Sequence, residues 1–353
     1  MNKRLPPRRN AATMRQRGVA LITVLLVVAL ISLMAVEMSE RLRRQLQRAT
    51  ALAALDEAKW VNIGAEGFAS KVLKQDFEDS PERTHLNQYW AVGSTSFPLE
   101  SGAVFSGELK DMRSCFNLNG VRTQEAEQAE LQQTGERPLA AKQFIALLEA
   151  VEIDSYQAEV MADSLVDWLD EDDYVNHSSG AEDSEYQSRT RPYLAANSML
   201  VDVGELRAIN GFTQEAVFQI SPYVCVVPSS NKALLNVNTV QHPELFVAVF
   251  TPNMSLQQAE QLMADRPSDG YEAIDDLLAS TALAGIDIAD LVKNNLTVVS
   301  DAFLLKASTQ LADGTRLQSE ALLKQDTNNW VAYSRRFGGR VERVLDSEVD
   351  EPF

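Results

Sequence analysis

Carboxylates are the residues in this chain most able to do chemistry, and they crowd into one stretch. Asp163, Asp167, Asp170, Glu171, Asp172 and Asp173 are followed by Glu182, Asp183 and Glu185. Asp163, Asp167 and Asp170 stand at i, i+4 and i+7, so one helix face presents all three. Like charges at that spacing repel unless something positive joins them. A calcium ion does this, because it takes six to eight oxygen ligands at about 2.3–2.6 Å from flexible loops. The candidate ligands are Asp167, Asp170, Asp172, Glu182 and Asp183, with loop carbonyls beside them. The spacing is not that of an EF-hand. A solvated acidic loop on an acidic protein is the alternative that composition leaves open.

Other chemistry finds little support. The three histidines, His85, His177 and His242, are scattered in unlike contexts. There is no Gly-x-Ser-x-Gly, Walker loop, His-Glu-x-x-His or Cys-x-x-Cys. The chain is therefore not expected to be an enzyme. Cys115 and Cys225 are the only cysteines. Outside the cytoplasm they are free to form a disulfide, and two buried thiols are the other possibility. With 353 residues and a formal net charge of −18, the chain would repel nucleic-acid phosphate.

The elements that hold these residues begin with residues 19–36, a run of eighteen residues without a charge. As a helix it reaches roughly 27 Å, enough to cross the apolar part of a bilayer. Six basic residues and no acid precede it, from Lys3 to Arg17. That flank should stay in the cytoplasm, leaving the body on the far side of the membrane. Residues 37–75 lack proline, and Trp60, Gly64, Phe68 and Val72 recur every four residues. The spacing predicts one helix over 19–75, ended by Asp79-Ser80-Pro81.

Beyond it the pattern turns strand-like at Tyr89–Val92 and Ala103–Phe105. It does so again at Leu296–Ser300, Phe303–Leu311, Leu317–Leu323 and Trp330–Arg335, with Asp313-Gly314 as a hairpin turn. Residues 123–295 between these strands read as helical. Pro138–Val151 is one helix. Asp154 with Gln157 opens another, through Leu169, and Ser255 with Gln258 makes a capping box. Glu205–Thr213, Glu-Leu-Arg-Ala-Ile-Asn-Gly-Phe-Thr, resembles a helix-hairpin-helix turn of the SAM-like type, and a second such unit is expected within Asn236–Leu291. Hairpins of this kind can hold nucleic-acid phosphate, but here acidic residues surround both, so they read as protein-packing units.

The expected fold is α+β: a long N-terminal helix packed on an antiparallel sheet, with a large all-α insertion. The expected divisions are a leader (1–18), the helix (19–75), a first head segment (76–122), the insertion (123–295), C-terminal strands (296–337) and an acidic tail (338–353). Within the insertion, two SAM-like units would divide at about 230.

The leader ends Arg15-Gln16-Arg17-Gly18, and the apolar run starts at Val19. This resembles the class III signal of type IV pilins and pseudopilins. The resemblance implies cleavage by a prepilin peptidase between Gly18 and Val19, methylation of the new N terminus, and retention of the helix in the inner membrane. Loss of the six basic residues would take the net charge from −18 to −24. Most members carry glutamate at the fifth mature position, where this chain has Thr23.

Three further runs are more specific. They are Asp-Trp-Leu-Asp-Glu-Asp-Asp (167–173), Gly-Ala-Glu-Asp-Ser-Glu-Tyr (180–186) and Arg-Pro-Tyr-Leu-Ala-Ala-Asn (191–197). With Leu-Leu-Asn-Val-Asn-Thr (234–239) they resemble the K minor pseudopilins of type II secretion, a subunit that usually lacks the glutamate. This resemblance implies a pilin-like head in the periplasm with a helical insertion that binds calcium. It also implies a place at the pseudopilus tip, partners among the I and J minor pseudopilins, and a role in protein export. A type IV pilus minor pilin and a membrane-anchored helix-hairpin-helix DNA-uptake protein are the rival readings.

Overall fold

A computed structural model describes residues 17–122, 136–228, 230–327 and 329–338. Most of the leader and the acidic tail beyond Gly338 lie outside the described residues. Helix α1 spans Arg17–Asp79. No proline interrupts it, and Pro81 stands just beyond its end. It runs four residues further than the pattern indicated. The chain divides into two units, Met1–Glu57 and Ala58–Phe353.

In the first unit every described residue from Val19 to Ala53 is exposed. An uncovered apolar stretch of this length needs a bilayer or other helices around it. The helix is long and apolar enough to cross a membrane. Thr23 satisfies its own hydroxyl inside the helix by donating to the Ala20 carbonyl at 2.9 Å.

The second unit is built around a five-stranded antiparallel sheet. Its strands are β1 (Thr95–Pro98), β2 (Val104–Asp111), β7 (Ala302–Gln310), β8 (Arg316–Asp326) and β9 (Asn329–Phe337), in that spatial order. Numbers three to six belong to the short strands of the insertion. Side chains alternate across the sheet, so its two faces meet different partners. Phe105, Phe303, Leu305, Ala321 and Leu323 pack with Ala65, Ala69 and Leu73 of α1. Ala302 and Leu322 point the other way, toward Met112 and the two cysteines. Buried polar groups fix the helix on the sheet. Ser70 donates to the Trp330 carbonyl at 2.6 Å, and Asn62 accepts from Thr309 at 2.7 Å.

Two sequence expectations need correction. Tyr89–Val92 is a 3-10 turn, not a strand. The buried Asp76 carboxylate accepts from the Tyr89 and Trp90 amides at 3.0 and 2.9 Å, which bends the segment. Leu296–Ser300 does not join the head sheet. Only Leu296–Thr297 is extended, and it pairs within the insertion.

Between β2 and β7 the chain makes two excursions, each closed by a two-residue parallel pair. The first runs from β3 (Phe116–Asn117) to β4 (Val224–Cys225). It holds α2 (Leu139–Ala150), α3 (Ser155–Leu169), α4 (Asp183–Gln187) and α5 (Gln214–Ile220). The second runs from β5 (Leu235–Asn236) to β6 (Leu296–Thr297). It holds α6 (Pro243–Val249), α7 (Leu256–Ala264), α8 (Ile274–Leu278) and α9 (Asp290–Asn294). One continuous apolar core, from Phe116 to Leu296, serves both.

Cys115 and Cys225 are joined by a disulfide beside the first closure, with their Cα atoms 5.8 Å apart. Buried Asp111 ties the second closure to the sheet. It accepts from Thr239 at 2.5 Å, Ser300 at 2.6 Å and the Arg113 amide at 2.8 Å.

Candidate metal centre in the acidic loop

Asp154 opens α3 by accepting from the Tyr156 and Gln157 amides. The helix buries Ala158, Met161, Ala162 and Leu165 in the insertion core. The i, i+4, i+7 carboxylates are buried too: Asp163, Asp167 and Asp170 are at most 2% exposed. Three buried carboxylates on one helix need compensation.

Asp163 has its own. Arg137 donates to both of its oxygens, at 2.8 and 3.0 Å, and also reaches Glu159 at 3.1 Å. This arginine was not singled out in the sequence, because it lies on a different segment of the first excursion. Asp163 is thus a structural anchor and no member of the candidate set.

Asp167 and Asp170 are joined by an amide. The Asn176 side-chain nitrogen donates to Asp167 Oδ1 at 3.0 Å and to Asp170 Oδ2 at 2.7 Å. The Asn176 backbone amide adds a third bond, to Asp167 at 3.1 Å. Asp167 Oδ2 and both carboxylate oxygens of Glu182 are buried without a hydrogen-bond partner. Such atoms are costly in a folded protein and mark a place where another group belongs.

The electrostatics agree. Burial, opposed by the Asn176 bonds, raises Asp167 to about 6. Burial raises Asp170 to about 7, with Asp172 and Asp167 adding repulsion. Glu182 is pushed to about 8 by burial, then by Asp167 and Asp170. These three carboxylates share one environment.

Of the other two candidates, Asp172 lies at the rim, where its charge acts on Asp170, while the Asp183 side chain is engaged elsewhere. Asp172 is half-buried and accepts from the Tyr174 amide at 2.9 Å. Asp183 accepts from the Ala195 amide at 2.9 Å. Asn197 crosses between the two loops, donating to the Asp172 carbonyl at 3.2 Å and to Asp173 at 2.9 Å. Beneath α4, Tyr186 packs edge-on to Trp168 and stacks on Tyr193, with ring centroids 5.2 and 5.4 Å apart.

Gly180 completes the cradle. A Cβ there would lie 2.0 Å from Asp167 Oδ2. Neither Gly180 nor Asn176 was identified as functional from the sequence. Gly180 falls in a motif that resemblance had marked, whereas an asparagine among aspartates carries no distinctive pattern. Among the described residues, no group of three or more His, Cys, Asp and Glu side chains is arranged to hold a metal by itself. Calcium differs from zinc here, because amide and backbone carbonyl oxygens complete its shell. The orphaned oxygens and the open cradle fit an oxygen-loving cation on those terms.

Family models described as type II secretion system (T2SS), protein K, match residues 114–229 and 235–299. The chain belongs to this family. It is 33% identical to type II secretion system protein K of Aeromonas hydrophila over 335 residues, covering 93% of this chain and 98% of that one. The protein of the same description in Klebsiella pneumoniae is 34% identical, covering 92% and 97%. A solved structure of the GspK-GspI-GspJ complex from enterotoxigenic Escherichia coli contains a chain that matches with a TM-score of 0.74. It is 30% identical, covering 83% of this chain and 99% of that one. The protein is a minor pseudopilin, a structural component of type II secretion, with an apolar N-terminal helix suited to a single-pass anchor.

Proposed function

We propose that this minor pseudopilin sits at the tip of the pseudopilus with the I and J subunits, and helps initiate or cap the filament. The observation that carries this reading is the fold match to a chain of the GspK-GspI-GspJ complex. In this reading a prepilin peptidase cuts between Gly18 and Val19, methylation follows, and α1 stays in the inner membrane with the head in the periplasm. The bond to be cut lies in the first turn of α1. Thr23 supports a terminal position. A carboxylate there would neutralise the N-terminal amine of an adjoining subunit in a low-dielectric bundle. A subunit with nothing above it needs no such group, and Thr23 spends its hydroxyl within its own helix.

The helical insertion, with its two SAM-like excursions, would serve as a protein-contacting platform. The net charge of −18 speaks against nucleic acid as its partner. Asp167, Asp170 and Glu182 would hold calcium, helped by Asn176 and loop carbonyls, with Asp172 at the rim. The ion would supply the positive charge that these buried carboxylates lack. The residues do the rest: Asn176 and Asn197 fix the loop, and Gly180 keeps the approach to Asp167 open. A strain lacking this chain should retain its type II substrates in the periplasm, and the full-length chain should restore export. Normal export without it would overturn the assignment.

A further inference from the structure

The face of the sheet turned away from α1 carries a cleft unlike the rest of this acidic chain. It has a volume of about 550 Å³ and lies between the sheet and the first excursion of the insertion. Its floor includes Leu304 and Leu322, and its far wall Val203 and Val217. Lys110 and Lys306 stand on the floor, and Arg207 on the wall. The pairing register explains the crowding. Lys110 lies opposite Leu304, and Glu108 lies opposite Lys306, so the two lysines are diagonal neighbours across β2 and β7. Diagonal side chains of this length reach one another.

Two other cations of the cleft are already matched. Arg336 is paired with Asp202 and Glu320, and Arg335 with Glu66 at 2.7 Å. Lys110 and Lys306 have no ion pair or hydrogen bond among the described residues. Lys110 is half-buried, and burial together with Lys306 pushes its amine below the usual lysine range. Glu108 and Glu320 lie opposite Lys306 on the two neighbouring strands, but Glu320 is taken by Arg336 and neither forms an ion pair with the lysines, so the two ammonium groups leave place for a further anion that also brings apolar side chains.

Such a segment lies a few residues away in the same chain. Ser334, Arg335 and Arg336 of β9 line the cleft, and β9 ends at Phe337. Residues 344–351 read Val-Leu-Asp-Ser-Glu-Val-Asp-Glu, with four carboxylates, three apolar residues and no base. They lie outside the described residues. Asp346 follows Gly338 by eight residues, a reach of up to about 27 Å, whereas Ser334 is only about 13 Å back along the strand. We propose that the cleft over Lys110 and Lys306 is a docking site for the acidic segment Val344–Glu351 of the same chain.

The test is carbodiimide coupling of the full-length protein in detergent, which turns a close lysine–carboxylate pair into an amide read by mass spectrometry. The expected products join Lys110 or Lys306 to Asp346, Glu348, Asp350 or Glu351. They should be lost in the Lys110→Gln, Lys306→Gln double variant and at high salt, while the thermal midpoint changes little. Amides from these lysines only to Glu108 or Glu320 would overturn the proposal. So would tail amides that appear only between light and heavy isotope-labelled copies, because the segment would then come from a second molecule.

Discussion

Gly180 stands directly against Asp167: a Cβ at residue 180 would fall 2.0 Å from the Asp167 Oδ2 oxygen, one of the buried oxygens without a partner. A methyl group there must displace either the carboxylate or the loop. Overpacking of this kind costs about 1–3 kcal/mol. Gly180→Ala should therefore lower the thermal midpoint and weaken stabilisation by added calcium. A variant with unchanged midpoint and unchanged calcium response would contradict the cradle.

Removing the ion should reveal it. Added calcium should raise the unfolding midpoint of the full-length protein in detergent, and chelator should lower it. A hundredfold excess over the dissociation constant corresponds to roughly 2.7 kcal/mol. Glu182→Gln should act differently in the two conditions. In chelator at neutral pH, where a Glu182 raised to about 8 is already largely protonated, the amide replaces a neutral carboxyl and stability should hold. In calcium it removes a ligand, so the ion-dependent gain should shrink. A loss of equal size in both conditions would argue against metal binding at this carboxylate.

The disulfide closes the first excursion across a sequence separation of 110 residues. Cross-linking so long a loop contributes on the order of 4–5 kcal/mol in the chain-entropy model. The Cys115→Ala, Cys225→Ala double variant should lose an amount of that order in denaturant titration. A change below about 1 kcal/mol, against the loss that model sets, would show that the β3–β4 pair and the packing around it suffice to close the loop.

Asp111 supplies a pH dependence with a definite sign. Burial raises its carboxyl to about 6, above the unfolded range near 4, despite bonds from Ser300, Thr239 and the Arg113 amide. A raised carboxyl favours the folded state when protonated. The contribution is therefore complete below about pH 4 and is lost as pH rises toward about 6. The stability difference between wild type and D111N should fall by about 1–3 kcal/mol between pH 4 and 7. A flat or rising difference would show that the three donors hold Asp111 ionised throughout.

Much of this architecture was legible in the sequence, for physical reasons that differ by element. The absence of proline across 37–75 revealed α1, and Asp154 and Ser255 revealed two helix starts through caps that the structure contains. Tyr89–Val92 misled because four mostly apolar residues fit a strand equally well; the carboxylate of Asp76, thirteen residues earlier, decides their shape. Leu296–Thr297 misled because strand propensity says nothing of partner, and its partner is Leu235–Asn236. Within the acidic loop, carboxylate spacing pointed to Asp167 and Asp170. It could not separate them from Asp163, whose role is set by Arg137 twenty-six residues away. Asn176 was invisible because only the folded loop brings its amide between two aspartates.

Assembly with the I and J subunits is the claim on which the account turns. The most direct measurement is the native mass of the complex obtained when full-length, peptidase-processed chain is co-expressed with both subunits and purified in detergent through a tag on this chain. One stable species is expected, containing a single copy of each of the three, with this chain beginning at Val19. Recovery of the chain alone, or with pilus subunits in place of I and J, would contradict that claim.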